Sequence, residues 1–277
     1  MLQSVLRAWG AELFCASMFW ILTKFALTTG IESSRTVPSH WNRFQRHLYP
    51  RLARHNRLLK PRQPGSTTFF LLVRLFLSVI TEAGTTGLLV SQNSSYASQH
   101  FMIVKRALRL IGALDVRDMQ RNTLCESLKA NLLHTQYSSR RELVFDQLDS
   151  KLVVESAEVE EAGQGITVQH AVLSEVSRWP GNPEETVSNI KGALTPDATL
   201  DEECTANGMG GYFCTQYLRC LDDEASGDAR SHFYPWWLTE EYQDEMSDAE
   251  KDEMLKDLTE TELQLIRRIH HDLQEVA

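Results

Sequence analysis

Cys204, Cys214 and Cys220 are spaced C-x9-C-x5-C, and eleven residues separate the last of them from His232. Three thiolates and an imidazole are enough donors for a tetrahedral zinc site. In an oxidising compartment, Cys204 and Cys214 would instead suit a loop disulfide. The short C-x2–4-C pair usual in structural zinc sites is missing, and ordinary buried thiols remain the plainer reading. Gly208-Met209-Gly210-Gly211 lacks the GxxxxGK[ST] pattern and follows no apolar strand, so it is not read as a phosphate loop. His270 and His271 are adjacent, and on a helix neighbours point about 100° apart, which disfavours a shared metal. Acids are plentiful beyond residue 222, but no spacing marks an acid–base pair. GxSxG, HExxH and DxDxDG do not occur. No catalytic, cofactor-binding or metal-ligating residue is assigned, no cofactor is expected, and the chain is read as a non-enzyme.

The elements that would carry such residues are set by charge and hydropathy. Residues 1–147 have a balance of +11 and residues 148–277 one of −20, within a total of −9 over 277 residues. Halves so unlike in charge are expected to face different surroundings. The five cysteines include no CxxC, which fits a mostly reducing compartment. Residues 13–31 read LFCASMFWILTKFALTTGI, with Lys24 as the only charge. As a helix this stretch would span about 28 Å, close to a bilayer's hydrocarbon thickness. It is therefore expected to be a membrane anchor, with Lys24 snorkelling toward a headgroup layer.

An acid-free basic arm follows, holding Arg35, Arg43, Arg46, Arg51, Arg54, Arg57, Lys60 and Arg62. Basic residues beside a membrane helix mark its untranslocated side and suit anionic headgroups. Arg43, Arg46, Arg51, Arg54, Arg57, Lys60 and Arg62 are therefore expected to bind lipid, cardiolipin included, or partner subunits. RNA binding competes for the same arm, because Trp41, Phe44 and Tyr49 interleave with its cations, but nucleic acid ranks below lipid and protein. Trp236 and Trp237 are expected to dock on a partner surface, since two adjacent exposed indoles would invite aggregation.

The remainder reads as mainly α. Residues 69–90 form a second apolar stretch, either a further membrane helix or a core helix with one polar stripe through Arg74, Ser78, Thr81, Glu82 and Thr85. Helices are expected from Ser98, from Asp115 or Asp118, and from a capping box at Ser139 and Glu142. Two further boxes, Ser247 with Glu250 and Thr259 with Glu262, open helices near the end. The expected organisation is an anchor (1–34), the arm (35–66), a small helical module (67–154) and an acidic, loop-rich, partner-docking region ending in helices (155–277). The function this implies is a non-catalytic accessory subunit of a large membrane complex. The mitochondrial inner membrane is its expected address, in ATP synthase or the respiratory chain. The alternative is an RNA-associated structural protein such as a mitochondrial ribosomal subunit.

Overall fold

The computed structural model describes residues 42–112, 135–139, 141–159, 161–222, 228–239, 242, 246–256 and 258–275. The anchor expected at 13–31 and the helix expected after Asp115 lie outside these residues. Among the described residues, no helix is long and apolar enough to cross a membrane.

The architecture is α/β, not mainly α. An eight-stranded sheet has the order β3-β4-β5-β2-β6-β7-β1-β8. Its strands are β1 (His55–Lys60), β2 (Thr86–Ser91), β3 (Thr135–Ser138), β4 (Glu142–Phe145), β5 (Ser150–Ser156), β6 (Val168–Ser174), β7 (Leu194–Thr205) and β8 (Ala229–Phe233). From β5 across to β8 every neighbouring pair is parallel, while β3 and β4 add an antiparallel hairpin at one edge. Parallel strands are covered on both faces, and their sequences read as short apolar runs without alternation. β2 illustrates this, being buried along its whole length.

Two cores flank the sheet. Helix α1 (Arg43–Leu48) contributes Phe44 and Leu48 to the first. Helix α2 covers 66–81, α-helical at Ser66–Phe69, π-helical at Phe70–Phe76 and α-helical again at Leu77–Thr81. It is apolar almost all round because it lies inside the domain. Helix α3 (Ser94–Gly112) adds Phe101 and Val104 to the same side. The second core lies under α4 (Pro183–Ala193), through Val187 and Ile190, and α5 (Gly211–Asp222), through Phe213 and Tyr217. Leu89 faces the first core while Leu88 and Val90 face the second. Gly87 permits this closeness, since a Cβ there would meet Val79 Cγ2 at 2.9 Å.

Several expectations are corrected. The stretch 69–90 is not one helix: α2 ends at Thr81, Gly84 turns the chain in the left-handed region (φ 71), and β2 begins at Thr86. Ser139 does accept from the backbone of Arg141 and Glu142, both at 3.0 Å, but the turn it closes joins β3 to β4. Leu143 and Phe145 then alternate along a strand, both buried. Helix α3 starts at Ser94 and not at Ser98, with Asn93 Oδ1 accepting from the Tyr96 amide. The region from 155 onward holds β6, β7 and β8. Both late capping boxes form, at the starts of α6 (Asp248–Lys256) and α7 (Glu260–Glu275).

Candidate nucleotide site

The parallel strands β1, β6 and β7 end side by side, and ligands of open α/β sheets bind beyond such carboxyl ends. Strand β1 delivers Lys60, its last residue. The chain then runs Pro61-Arg62-Gln63-Pro64-Gly65 and enters α2 at Ser66. Gln63 (φ 54) and Gly65 (φ 79) are both left-handed, a conformation glycine adopts without strain. The amides of a helix's first turn have no partner within the helix, which makes a loop leading into one a ready anion cradle.

The loop is held from outside. Asn42 Nδ2 donates to the Pro64 carbonyl at 2.9 Å, and Gln45 Nε2 to the Gly65 carbonyl at 3.4 Å. Asn42 and Gln45 are themselves fixed as the reciprocal capping box of α1. Tyr242 donates its hydroxyl to the Arg62 carbonyl at 2.7 Å.

Inside the cleft, Lys60 Nζ lies 2.5 Å from Glu175 Oε1 and 3.4 Å from Thr205 Oγ1. Burial works against the lysine's charge, but the carboxylates of Glu203 and Glu175 outweigh it and raise its pKa. Glu175 follows β6 directly and is left-handed (φ 55), a conformation that is costly for a residue with a side chain. The Thr205 amide and hydroxyl fix its carboxylate, at 3.1 and 2.8 Å. Burial would raise the pKa of Glu175, yet Lys60 and these hydrogen bonds hold it below the usual carboxylate range. Glu203, fully buried near the end of β7, accepts from the hydroxyls of Ser66 and Thr67 on α2. It also accepts from Ser174, the last residue of β6, at 3.0 Å. One lysine, two carboxylates and a set of hydroxyls thus converge from three strand ends, the turn after β6 and a helix start.

A second polar network lies deeper. Asp201 on β7 accepts from Asn56 Nδ2 on β1 at 2.6 Å and from Arg74 Nε on α2 at 3.0 Å. His232 on β8 meets Asn56 Oδ1 at 2.9 Å. On the opposite face of β7, Glu202 is buried with Arg57 NH2 3.6 Å away, and burial raises its pKa.

The residues singled out in the sequence are dispersed. Arg57 and Lys60 are buried in β1. Arg43 and Arg54 are half-buried, while Arg46, Arg51 and Arg62 are exposed. Trp236 is 55% exposed, and Trp237 packs partly against the first core. Cys204, Cys214 and Cys220 are free thiols, and among the described residues no three metal-binding side chains gather. Burial pushes the Cys204 thiol up to about 11, and it sits against Ser177. His232 belongs to the Asn56 network, and His270 and His271 lie on α7.

Residues 60–67 do not carry a phosphate-loop pattern, because no lysine precedes the hydroxyl position. Aligned on GxxxxGK[ST], residues 60–67 place Lys60 at the first glycine, Gly65 at the second, Ser66 at the lysine and Thr67 at the hydroxyl position. The legible signal is Leu58-Leu59, a Pro/Gly loop, then Gly-Ser-Thr opening an apolar helix.

No family model matches this chain, and no curated protein matches it in sequence. Among solved structures it is similar to the large terminase of bacteriophage HK97, at 16% identity over 83% of this chain and 48% of that one, with a TM-score of 0.55. It is likewise similar to the large terminase ATPase domain of Thermus phage P74-26, at 16% identity over 82% of this chain and 90% of that one, with a TM-score of 0.50. The chain therefore spans about half the length of the HK97 protein. These likenesses establish a shared fold. That fold overturns the reading of a mainly α, non-catalytic subunit of ATP synthase or the respiratory chain. The mitochondrial inner-membrane address, the lipid and membrane-subunit partners, the ribosomal alternative and the low rank given to nucleic acid rested on that reading and fall with it.

Proposed function

We propose that this chain is a nucleoside-triphosphate-binding and hydrolysing domain acting with Mg2+, with ATP as its substrate. The observation that carries the proposal is the meeting of Lys60, Glu175, Glu203, Ser66 and Thr67 beside a left-handed loop leading into a helix. The ATPase domain of the P74-26 terminase, which shares the fold, supports the choice of ATP.

The donors suit the metal. Mg2+ prefers hard oxygen ligands, and in nucleotide sites it uses one or two carboxylates together with substrate phosphates. In loops of this kind a Ser or Thr hydroxyl and an acid on a neighbouring strand hold it. Thr67 and Glu203, already in contact, fill those positions. When bound, the ion would neutralise charge on the phosphates. The loop amides would cradle the phosphates, and Lys60 would bring its ammonium group from the strand side, replacing the lysine that Ser66 has displaced. Glu175, kept ionised, would orient the attacking water more than bind its proton, since its low pKa makes it a weak base. Exposed Arg46 and Arg51 are proposed contacts for a polyanionic partner, and Trp236 for a protein one.

Phosphate release from Mg-ATP tests the proposal. The wild-type protein should turn over. Glu175→Gln should bind nucleotide but hydrolyse it about a hundredfold or more slowly. Equal turnover in both proteins would overturn the assignment of Glu175, and absence of turnover in the wild type would overturn hydrolysis.

A further inference from the structure

The wall of the cleft on the β2 side carries groups to which the roles above give no part. Ser91 ends β2 and is fully buried, and its Oγ lies 2.8 Å from His100 Nδ1 on α3. Tyr96, one helical turn earlier, tilts against the imidazole with ring centroids 6.4 Å apart. Beside Ser91, the Gln92 Oε1 atom is buried without a hydrogen-bond partner among the described residues. β2 pairs directly with β6, whose end carries Ser174 and Glu175, so this corner adjoins the phosphate cleft. Val90 pairs with Leu173, so Ser91 stands beside Ser174, which donates to Glu203. Burial and Lys60 lower the proton affinity of His100 while Glu203 and Glu175 raise it, and the net direction is down. The ring is therefore neutral at pH 7. The neutral ring has two tautomers, and the one that accepts the Ser91 hydroxyl at Nδ1 carries its proton on Nε2, the nitrogen away from Ser91.

We infer that His100, oriented by Ser91, completes the phosphate pocket from the β2 side and donates from Nε2 to the terminal phosphate of a bound nucleoside triphosphate. The inference rests on the nucleotide site proposed above. It assigns His100 a share in telling triphosphate from diphosphate, because only the triphosphate carries the group that the ring would touch. Its chemistry is that of a neutral donor to a charged acceptor, stronger than a bond between neutral groups.

Two amide variants separate this role from packing. Asparagine places its amide near the position of Nδ1 and loses the distal donor, whereas glutamine reaches toward the position of Nε2 and keeps one. Binding of Mg-ATP and Mg-ADP should be measured by displacement of a fluorescent nucleotide, with thermal unfolding as a control. His100→Asn should lose about tenfold in ATP affinity with ADP affinity unchanged, and His100→Gln should retain most of the wild-type preference. Equal losses for both nucleotides, or no loss for either, would overturn the role of His100 while wild-type binding leaves the nucleotide site standing. A wild-type protein that binds neither nucleotide overturns both.

Discussion

Arg74 Nε donates to Asp201 Oδ2 at 3.0 Å, joining the helix that leaves the phosphate loop to the strand that carries Glu203. The bond is one arm of a closed set. Arg74 also donates to the Ala53 carbonyl at 2.9 Å, and the other Asp201 oxygen is held by Asn56 at 2.6 Å. Asp201 is fully buried, and Arg74 reaches it from within the π-helical segment. Such local widening of a helix is frequent at functional sites. Here it sits between the loop and the point where α2 is tied to β7.

Removing one member of a buried ion pair leaves the other charged and unsolvated. Arg74→Met is therefore expected to cost about 3 kcal/mol, measured by urea unfolding. A cost below about 1 kcal/mol would mean that water or another group satisfies Asp201 equally well.

His232 gives the fold a pH dependence of definite sign. Burial, with help from Arg230, His47 and Arg51, pushes its pKa down from 6.5 to about 4. Its Nε2 donates to Asn56 Oδ1, a bond that either protonation state can make, so it is burial and the nearby cations that favour the neutral ring. Between pH 6.5 and 4 the unfolded chain binds the proton and the folded chain does not, so this residue's contribution falls as pH falls through that window. The urea midpoint should drop between pH 7.5 and 5, and His232→Gln should show a smaller drop. Identical drops in the two proteins would place the effect elsewhere, for instance at His55, whose pKa is also lowered by burial.

Thr67 and Glu203 are the proposed holders of Mg2+. Thr67→Ala should raise the Mg2+ concentration needed for half-maximal nucleotide binding by about tenfold or more. Some thermal stability should be lost too, because the hydroxyl also satisfies the buried Glu203 carboxylate, so the comparison is made between folded proteins. An unchanged Mg2+ requirement would show that the hydroxyl serves the apo fold alone.

Part of this was legible in the sequence. The late capping boxes and the hydrophobic character of 69–90 both have counterparts in the structure. The strands did not show, for physical reasons. β2 and β6 are buried on both faces, so their residues do not alternate, and a short apolar run is compatible with helix or strand. In 69–90, helix and strand are fused through a four-residue turn, and the sum has the length of a membrane span. β7 hides better still, since Asp201, Glu202 and Glu203 stand buried in its second half. Asp201 and Glu203 are compensated by partners distant in sequence, Arg74 and the Ser66/Thr67/Ser174 hydroxyls, while Glu202 has Arg57 3.6 Å away. The arm's charge was read correctly and its burial was not: Lys60 looks like one more surface cation until Glu175, 115 residues away, is brought against it.

The central claim is that Lys60 serves a nucleotide from the strand side of the loop. Calorimetric titration of Mg-ATP into the wild-type protein and Lys60→Ala tests this most directly, with thermal unfolding confirming that both are folded. Saturable binding by the wild type is expected, with at least about a tenfold weaker affinity in the variant, for loss of a charge-assisted contact to phosphate. Equal affinity in the two folded proteins, or no binding by the wild type, would contradict this role of Lys60.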